Sequence, residues 1–363
     1  MKKRNVSFEL LRIFSMFAII VMHVFLASGI LNVENLDKTS YYLGWTTEAF
    51  CYGAVNLYVL ISGYFSIKTK FRLSKVLQIW LQVVFYTVVL FGVSVATKSQ
   101  PFSFTELLQR FLPISGNQYW FVTTWLALHI VSPALNWFIK TVEKGLYKKT
   151  LLVLTVLFSL IPFITFSDPL GIGAGYCLYW FCYLYLLGGY IASYKDGFKQ
   201  RKRFYFGVFI GASLLTALGC FVLAHGTRYF LGAVRGVTAF FAYNAPLVLL
   251  ASVTLFLFFT KLQLSEKFKK PILFFSSTTF GVYLIHMNLD VFALIMKTIF
   301  KVDTFPESWL LLLYTVMVAL AIFVGCALLE KGRAYLFRIC KIDRFCDWVE
   351  QAVAKGVARL GLF

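Results

Sequence analysis

Charge is scarce in this chain. Only 14% of its 363 residues are Asp, Glu, Lys or Arg, while 60% are apolar, 19% are aromatic and the mean hydropathy is +0.76. An ordinary soluble domain carries about 25% charged residues, so that class is excluded. Acidic groups are the scarcest, 16 against 35 basic ones, which leaves a net charge of +19. Nucleic acid is nevertheless excluded as a partner, because the Lys and Arg stand in short clusters between apolar runs and not on one solvated surface. The seven cysteines are scattered, five of them (Cys51, Cys177, Cys182, Cys220 and Cys326) in or beside apolar runs. They form no CxxC pair or other ligand spacing, so they read as small packing residues and no metal site is expected. No Walker loop, HExxH, GxSxG, Asp-rich cluster or GxGxxG segment occurs, which removes support for a nucleotide-driven pump, a metalloprotease and a serine hydrolase.

What is abundant is apolar sequence in long runs. A bilayer core about 30 Å thick needs about 20 such residues per helix. Ten runs qualify, near 8–30, 46–66, 76–96, 119–139, 150–166, 176–193, 204–224, 237–260, 272–296 and 309–329. The expected fold is an all-α membrane protein of about ten transmembrane helices. Placing the N-terminus in the cytoplasm puts 27 of the 35 Lys and Arg on inside segments. Seven fall outside (Lys38, Lys98, Arg110, Arg228, Arg235, Lys297 and Lys301), and Arg12 alone lies within a span. By the positive-inside rule both termini are then cytoplasmic. Met1-Lys2-Lys3-Arg4 ahead of an apolar run resembles a signal peptide, but the run is too long for that and carries Glu9 and Arg12, so an uncleaved first span is expected. The organisation expected is a membrane domain over 1–330 and a basic, amphipathic cytoplasmic tail over 331–363, lying on the inner leaflet. Chemistry must then take place within or at the edges of the spans.

The first run holds "ELLRIFSMFAIIVMH", with an acid, an arginine and a histidine in otherwise apolar sequence. Arg12 and His23 are eleven residues apart, which on a helix separates them by about 20° in rotation and about 16 Å in height. One helical face therefore carries both. Glu9, three residues before Arg12, is placed to pair with it. Taken alone, Arg12 reads equally as a side chain snorkelling to the inner headgroups. His23 lies too deep for that and reads either as a hydrogen-bonded packing group or as a proton acceptor. His286, in the ninth run, is expected at a similar depth, with Asp290 one turn on to orient its imidazole; the alternative is that Asp290 reaches the outer interface and His286 merely packs. His129, one turn before Pro133, reads as a packing histidine and His225 as interfacial. Tyr119-Trp120, Tyr179-Trp180, Trp45 and Trp309 fall near outer boundaries, where aromatic anchors belong. Tyr119 and Trp120 are also candidates to stack on a sugar face.

Glu9-Leu-Leu-Arg12, ten intervening residues and His23 resemble the first-span signature of the acyltransferase 3 family, integral-membrane acyltransferases that modify cell-surface glycans. "NLYVLISGYF" at 56–65, "YWFVTTWLALHIVSPALN" at 119–136 and "FGVYLIHMNL" at 280–289 are similar to its later landmarks, in order along nearly the whole chain. One departure is the Arg-x-x-Arg that the family often shows after the second span. Here the segment is "KTKFRLSKVLQ", giving Arg72-x-x-Lys75 or Lys75-x-x-Gln78, and a lysine lacks the bidentate fork that arginine offers a phosphate. A solvated basic cluster accounts for it equally well.

The resemblance implies an O-acyltransferase of the acetyltransferase kind, moving an acyl group from cytoplasmic acyl-CoA to a hydroxyl of a cell-surface or lipid-linked glycan. It implies His23 as general base or acyl carrier and Arg12 as its catalytic companion nearer the donor. Lys70, Arg72 and Lys75 would attract the CoA phosphates, and His286, Asp290, Tyr119 and Trp120 would serve the acceptor. Acyl-CoA would be a donor substrate, with no tightly bound cofactor. The expected partners are the bilayer, acyl-CoA, the glycan acceptor and proteins of a surface-glycan pathway, and the expected location is the cell membrane. A rival is a transporter or flippase that uses the same ionisable groups as a path. A membrane scaffold, with those groups dispensable, is the third reading.

Overall fold

The computed structural model describes residues 5–67, 71–116, 118–304 and 310–359. The N-terminal basic cluster, Lys70 and Trp309 lie outside the described residues. Among those described, the fold is helical and contains no strand. In chain order the helices are α1 (Val6–Ser28), α2 (Thr39–Cys51), α3 (Ala54–Ser66), α4 (Leu73–Ala96), α5 (Phe104–Arg110), α6 (Trp120–Thr141), α7 (Lys144–Thr155) and α8 (Ile161–Thr165). There follow α9 (Leu178–Ser193), α10 (Lys202–Leu231), α11 (Pro246–Thr260), α12 (Lys269–Ser276), α13 (Thr279–His286), α14 (Leu311–Ile339) and α15 (Ile342–Arg359).

Six of the ten apolar runs become helices long and apolar enough to cross a bilayer: α1, α4, α6, the pair α7 and α8 joined through a π-turn, α10 and α14. The other four fold as shorter pieces. The run at 46–66 divides between α2 and α3 at Tyr52 and Gly53. Runs 176–193 and 237–260 yield α9 and α11, of 16 and 15 residues, each roughly 24 Å long or less at 1.5 Å per residue. The run at 272–296 breaks between α12 and α13, because Ser276, Ser277, Thr278 and Thr279 place four hydroxyls in succession. Ser277 Oγ and Thr278 Oγ1 donate to the carbonyls of Phe274 (2.8 Å) and Phe275 (2.7 Å), a local alternative to the helical ladder.

α1 is the axis of the core. Asn5 caps it by accepting from Ser7 N, Gly29 closes it in the left-handed conformation, and its buried face packs against α3, α11, α12, α13 and α14. α3 meets α9 through two reciprocal glycines. A Cβ on Gly63 would lie 2.1 Å from the Tyr185 carbonyl oxygen, and one on Gly188 would lie 2.4 Å from that of Leu60. Backbone against backbone is the closest approach two helices can make, and small residues permit it. α14 continues past residue 330 to Ile339, and the amphipathic α15 folds back along α4, burying Cys346 and exposing Phe345 and Trp348.

Candidate active site

A cavity of about 340 Å³ opens inside the bundle, walled by α1, α3, Ile79 of α4, the start of α6, Tyr243, the α12–α13 break and α13. Arg12 and His23 both line it. Ser62, Ser276, Ser277 and Thr279 add hydroxyls to the wall, and Tyr58, also in the wall, donates its hydroxyl to the Arg12 carbonyl at 2.8 Å. Elsewhere the wall is mainly apolar and aromatic, with Trp120, Phe121, Trp125, Tyr243 and Tyr283. Arg12 Nη1 donates to Glu9 Oε1 at 2.9 Å, the pairing that the three-residue spacing predicts.

His23 and His286 meet directly. Nδ1 of His23 lies 3.0 Å from Nε2 of His286, whose Nδ1 is 2.6 Å from the Val282 carbonyl oxygen. His286 is fully buried, whereas His23 is partly accessible at the cavity wall. α13 is fixed at both ends. Near its start, Gly281 lies against the Glu330 carboxylate, which accepts from Tyr86 (2.7 Å), Gln82 (3.2 Å) and Arg333. Near its end, Tyr119 donates its hydroxyl to the Leu284 carbonyl (2.7 Å) while accepting from Asn288 Nδ2 (2.8 Å).

Several expected placements are corrected. Asp290 does not orient His286. α13 stops at His286, so the residue four positions on is no longer one turn above it, and Asn288 Oδ1 accepts from the Asp290 amide in a turn. The Asp290 carboxylate instead accepts from Arg110 Nε (2.9 Å), Arg110 Nη2 (2.5 Å) and Gln100 (3.3 Å). Tyr119 and Trp180 are core residues, 2% and 0% exposed, and not interfacial anchors; Trp180 Nε1 donates to Asn56 Oδ1 at 3.0 Å. Of the pair proposed for a sugar face, Trp120 reaches the cavity and Tyr119 holds α13. Arg72 is bound to Asp347 (3.0 Å) and Glu350 (3.6 Å) of α15, and Lys75 donates to Gln78 at 2.8 Å. Neither lines the cavity; Arg72 is the extended residue just before α4, and Lys75 stands one turn before the cavity residue Ile79 on that helix. His129 stacks on Trp125 (5.4 Å), and His225 is hydrogen-bonded to Tyr42 (2.7 Å).

Arg110, placed by charge counting in an outer loop, is 13% exposed in its ion pair with the 4% exposed Asp290. Removing one member of a buried pair strands the other, at about 3–5 kcal/mol. Asp290→Ala is therefore expected to lower the thermal midpoint of the purified protein sharply, whereas Arg110→Met combined with Asp290→Leu recovers much of it; equal midpoints for Asp290→Ala and wild type would show the pair to be dispensable. Asn56, Arg110, Asn288 and Glu330 are structural supports that the sequence did not single out, since each has a partner 124 to 248 residues away.

The acyltransferase domain of the acyltransferase 3 family matches residues 5–331. The chain therefore belongs to that family and is a multi-pass membrane acyltransferase. Comparison with curated proteins and with solved structures gives no match.

Proposed function

We propose that this acyltransferase takes an acetyl group from cytoplasmic acyl-CoA and places it on a hydroxyl of a cell-surface or lipid-linked glycan, within the cell membrane. The observation that carries this is a single cavity lined by both Arg12 and His23, two stations separated by about 16 Å along α1. A slim pantetheine arm fits such a passage. Arg12, with the hydroxyls of Ser62, Ser276 and Ser277, attends the donor at one station, and His23 with Trp120 attends the acceptor at the other.

His23 acts as general base. As the acceptor oxygen attacks the thioester carbonyl carbon, its proton passes to the imidazole; when the carbon–sulfur bond breaks, the CoA thiolate takes that proton and leaves as the thiol. The CoA phosphates lie beyond the cavity, at the start of α4 where Arg72 and Lys75 stand. Lys70, outside the described residues, belongs to the same basic segment. The ion pair of Arg72 with α15 is about half exposed, and such pairs contribute only about 0–1 kcal/mol, so a phosphate can replace it. His286 is assigned here to the support of His23, and Asp290 to the support of the surrounding fold.

Acyl-CoA binding by the purified protein in bilayer discs tests the proposal. Acetyl-CoA is expected to bind with 1:1 stoichiometry, roughly tenfold more weakly in Arg72→Ala, the loss of one charge-assisted contact. Absence of acyl-CoA binding in the wild type would overturn the donor assignment. The break between α12 and α13 beside the cavity is a feature that a transporter or flippase would also use. That reading predicts transport without acyl-CoA consumption.

A further inference from the structure

We infer that His286 is a positioning residue that selects which nitrogen of His23 is basic, its own tautomer being set by the main-chain carbonyl of Val282. The inference rests on the assignment of His23 as the base. A carbonyl oxygen only accepts hydrogen bonds, so the 2.6 Å contact between it and His286 Nδ1 requires the proton on Nδ1. A neutral imidazole carries one N–H, which leaves a lone pair on His286 Nε2. His23 Nδ1, 3.0 Å away, must then be the donor. Its own single proton is thereby committed to Nδ1, and the lone pair falls on Nε2, the nitrogen left for the cavity. The opposite tautomer of His23 would set two lone pairs against each other at 3.0 Å inside a buried contact and leave both unsatisfied.

Everything around α13 serves that geometry. Glu330 with Gly281 holds one end, and Tyr119 with Asn288 holds the other, so the Val282 carbonyl and the His286 ring stand in fixed register with α1. During transfer the acceptor hydroxyl gives its proton to His23 Nε2. The resulting imidazolium keeps its Nδ1–H on His286 Nε2, and the Nε2 proton then passes to the departing thiolate. His286 gains and loses nothing, and it touches neither substrate.

Three variants separate this role from a packing role. His286→Leu fills the space without an acceptor and is expected to lower kcat about a hundredfold with the KM for acyl-CoA unchanged. His286→Gln offers an amide oxygen close to the position of Nε2 and is expected to restore kcat to within about tenfold of wild type. His286→Ala is expected to behave as the leucine variant does. Thermal midpoints are recorded alongside, so that rates are compared among folded proteins. Wild-type kcat in His286→Leu, or a glutamine variant as slow as the leucine variant at equal stability, would overturn the inference while leaving His23 as base. Retained activity in His23→Ala would instead overturn the functional assignment on which the inference stands.

Discussion

His23→Ala is expected to lower acyl transfer about a thousandfold while the protein accumulates in the membrane at its normal level. A positioned general base contributes about 10²- to 10⁴-fold, and no neighbour in the cavity can take over the role. His286, the other imidazole at hand, is fully buried behind His23 and does not line the cavity, so its Nε2 lone pair is set back from the acceptor by the depth of the His23 ring, and Arg12 is a permanent cation. The side chain of His23 lies at a cavity wall and is only partly packed, so truncating it adds space to an existing cavity and leaves the α1 core intact. The loss should appear in kcat, with donor binding preserved, because Arg12 and the basic residues at the start of α4 are untouched. Wild-type acylation of the surface glycan in cells carrying His23→Ala would remove His23 from the mechanism.

The second large effect is on folding. Gly63→Ala is expected to destabilise the protein by about 3 kcal/mol or more, the upper range of overpacking, and to lower its yield from the membrane. The added methyl would stand 2.1 Å from the Tyr185 carbonyl oxygen and 2.8 Å from Tyr185 Cα, backbone atoms of α9 that cannot swing aside as a side chain would. Gly92→Ala, where a Cβ meets nothing within 4 Å, is the matched control and should be neutral or mildly stabilising. A Gly63→Ala protein of normal thermal midpoint but reduced kcat would show that the glycine serves chemistry and not packing.

That contrast explains a motif the sequence displayed without its meaning. In "NLYVLISGYF" four positions face four different tasks. Asn56 donates to the Tyr243 carbonyl (2.8 Å) and accepts from Trp180, fixing one wall of the cavity. Ser62 lines the cavity. Gly63 admits α9, and Tyr64 stacks on Phe8 of α1 at 5.1 Å. Asn56 and Gly63, seven residues apart, share the face toward α9, while Ser62 and Tyr64, about 100° to either side of Gly63, turn to the cavity and to α1.

The shared face of Arg12 and His23 on α1 was legible because it depends on helical geometry alone: eleven residues return to one face whatever surrounds them. The expected partnership of His286 with Asp290 fails for the same reason, since it needs a helix that continues to Asp290 and α13 ends at His286. Aromatic residues near span ends suggested anchors, yet Tyr119 and Trp180 are buried by tertiary contacts that position in the run does not encode. Charge counting placed Arg110 outside and could not foresee a carboxylate 180 residues further on. The ten apolar runs were legible as runs. Their division into six long helices and several short ones follows from local breakers, the Ser-Ser-Thr-Thr succession above all, whose weight depends on a cavity being there for the break to line.

The central claim is that the cavity joins an acyl-CoA donor to a hydroxyl acceptor through His23. The most direct measurement is single-turnover release of free CoA thiol from acetyl-CoA by the protein in bilayer discs, with and without a lipid-linked glycan acceptor. The expected result is rapid thiol release that requires the acceptor, deposits the acetyl group on it as an ester, and disappears in His23→Ala. Acceptor movement across the bilayer with the thioester intact, or ester formation undiminished in His23→Ala, would contradict it.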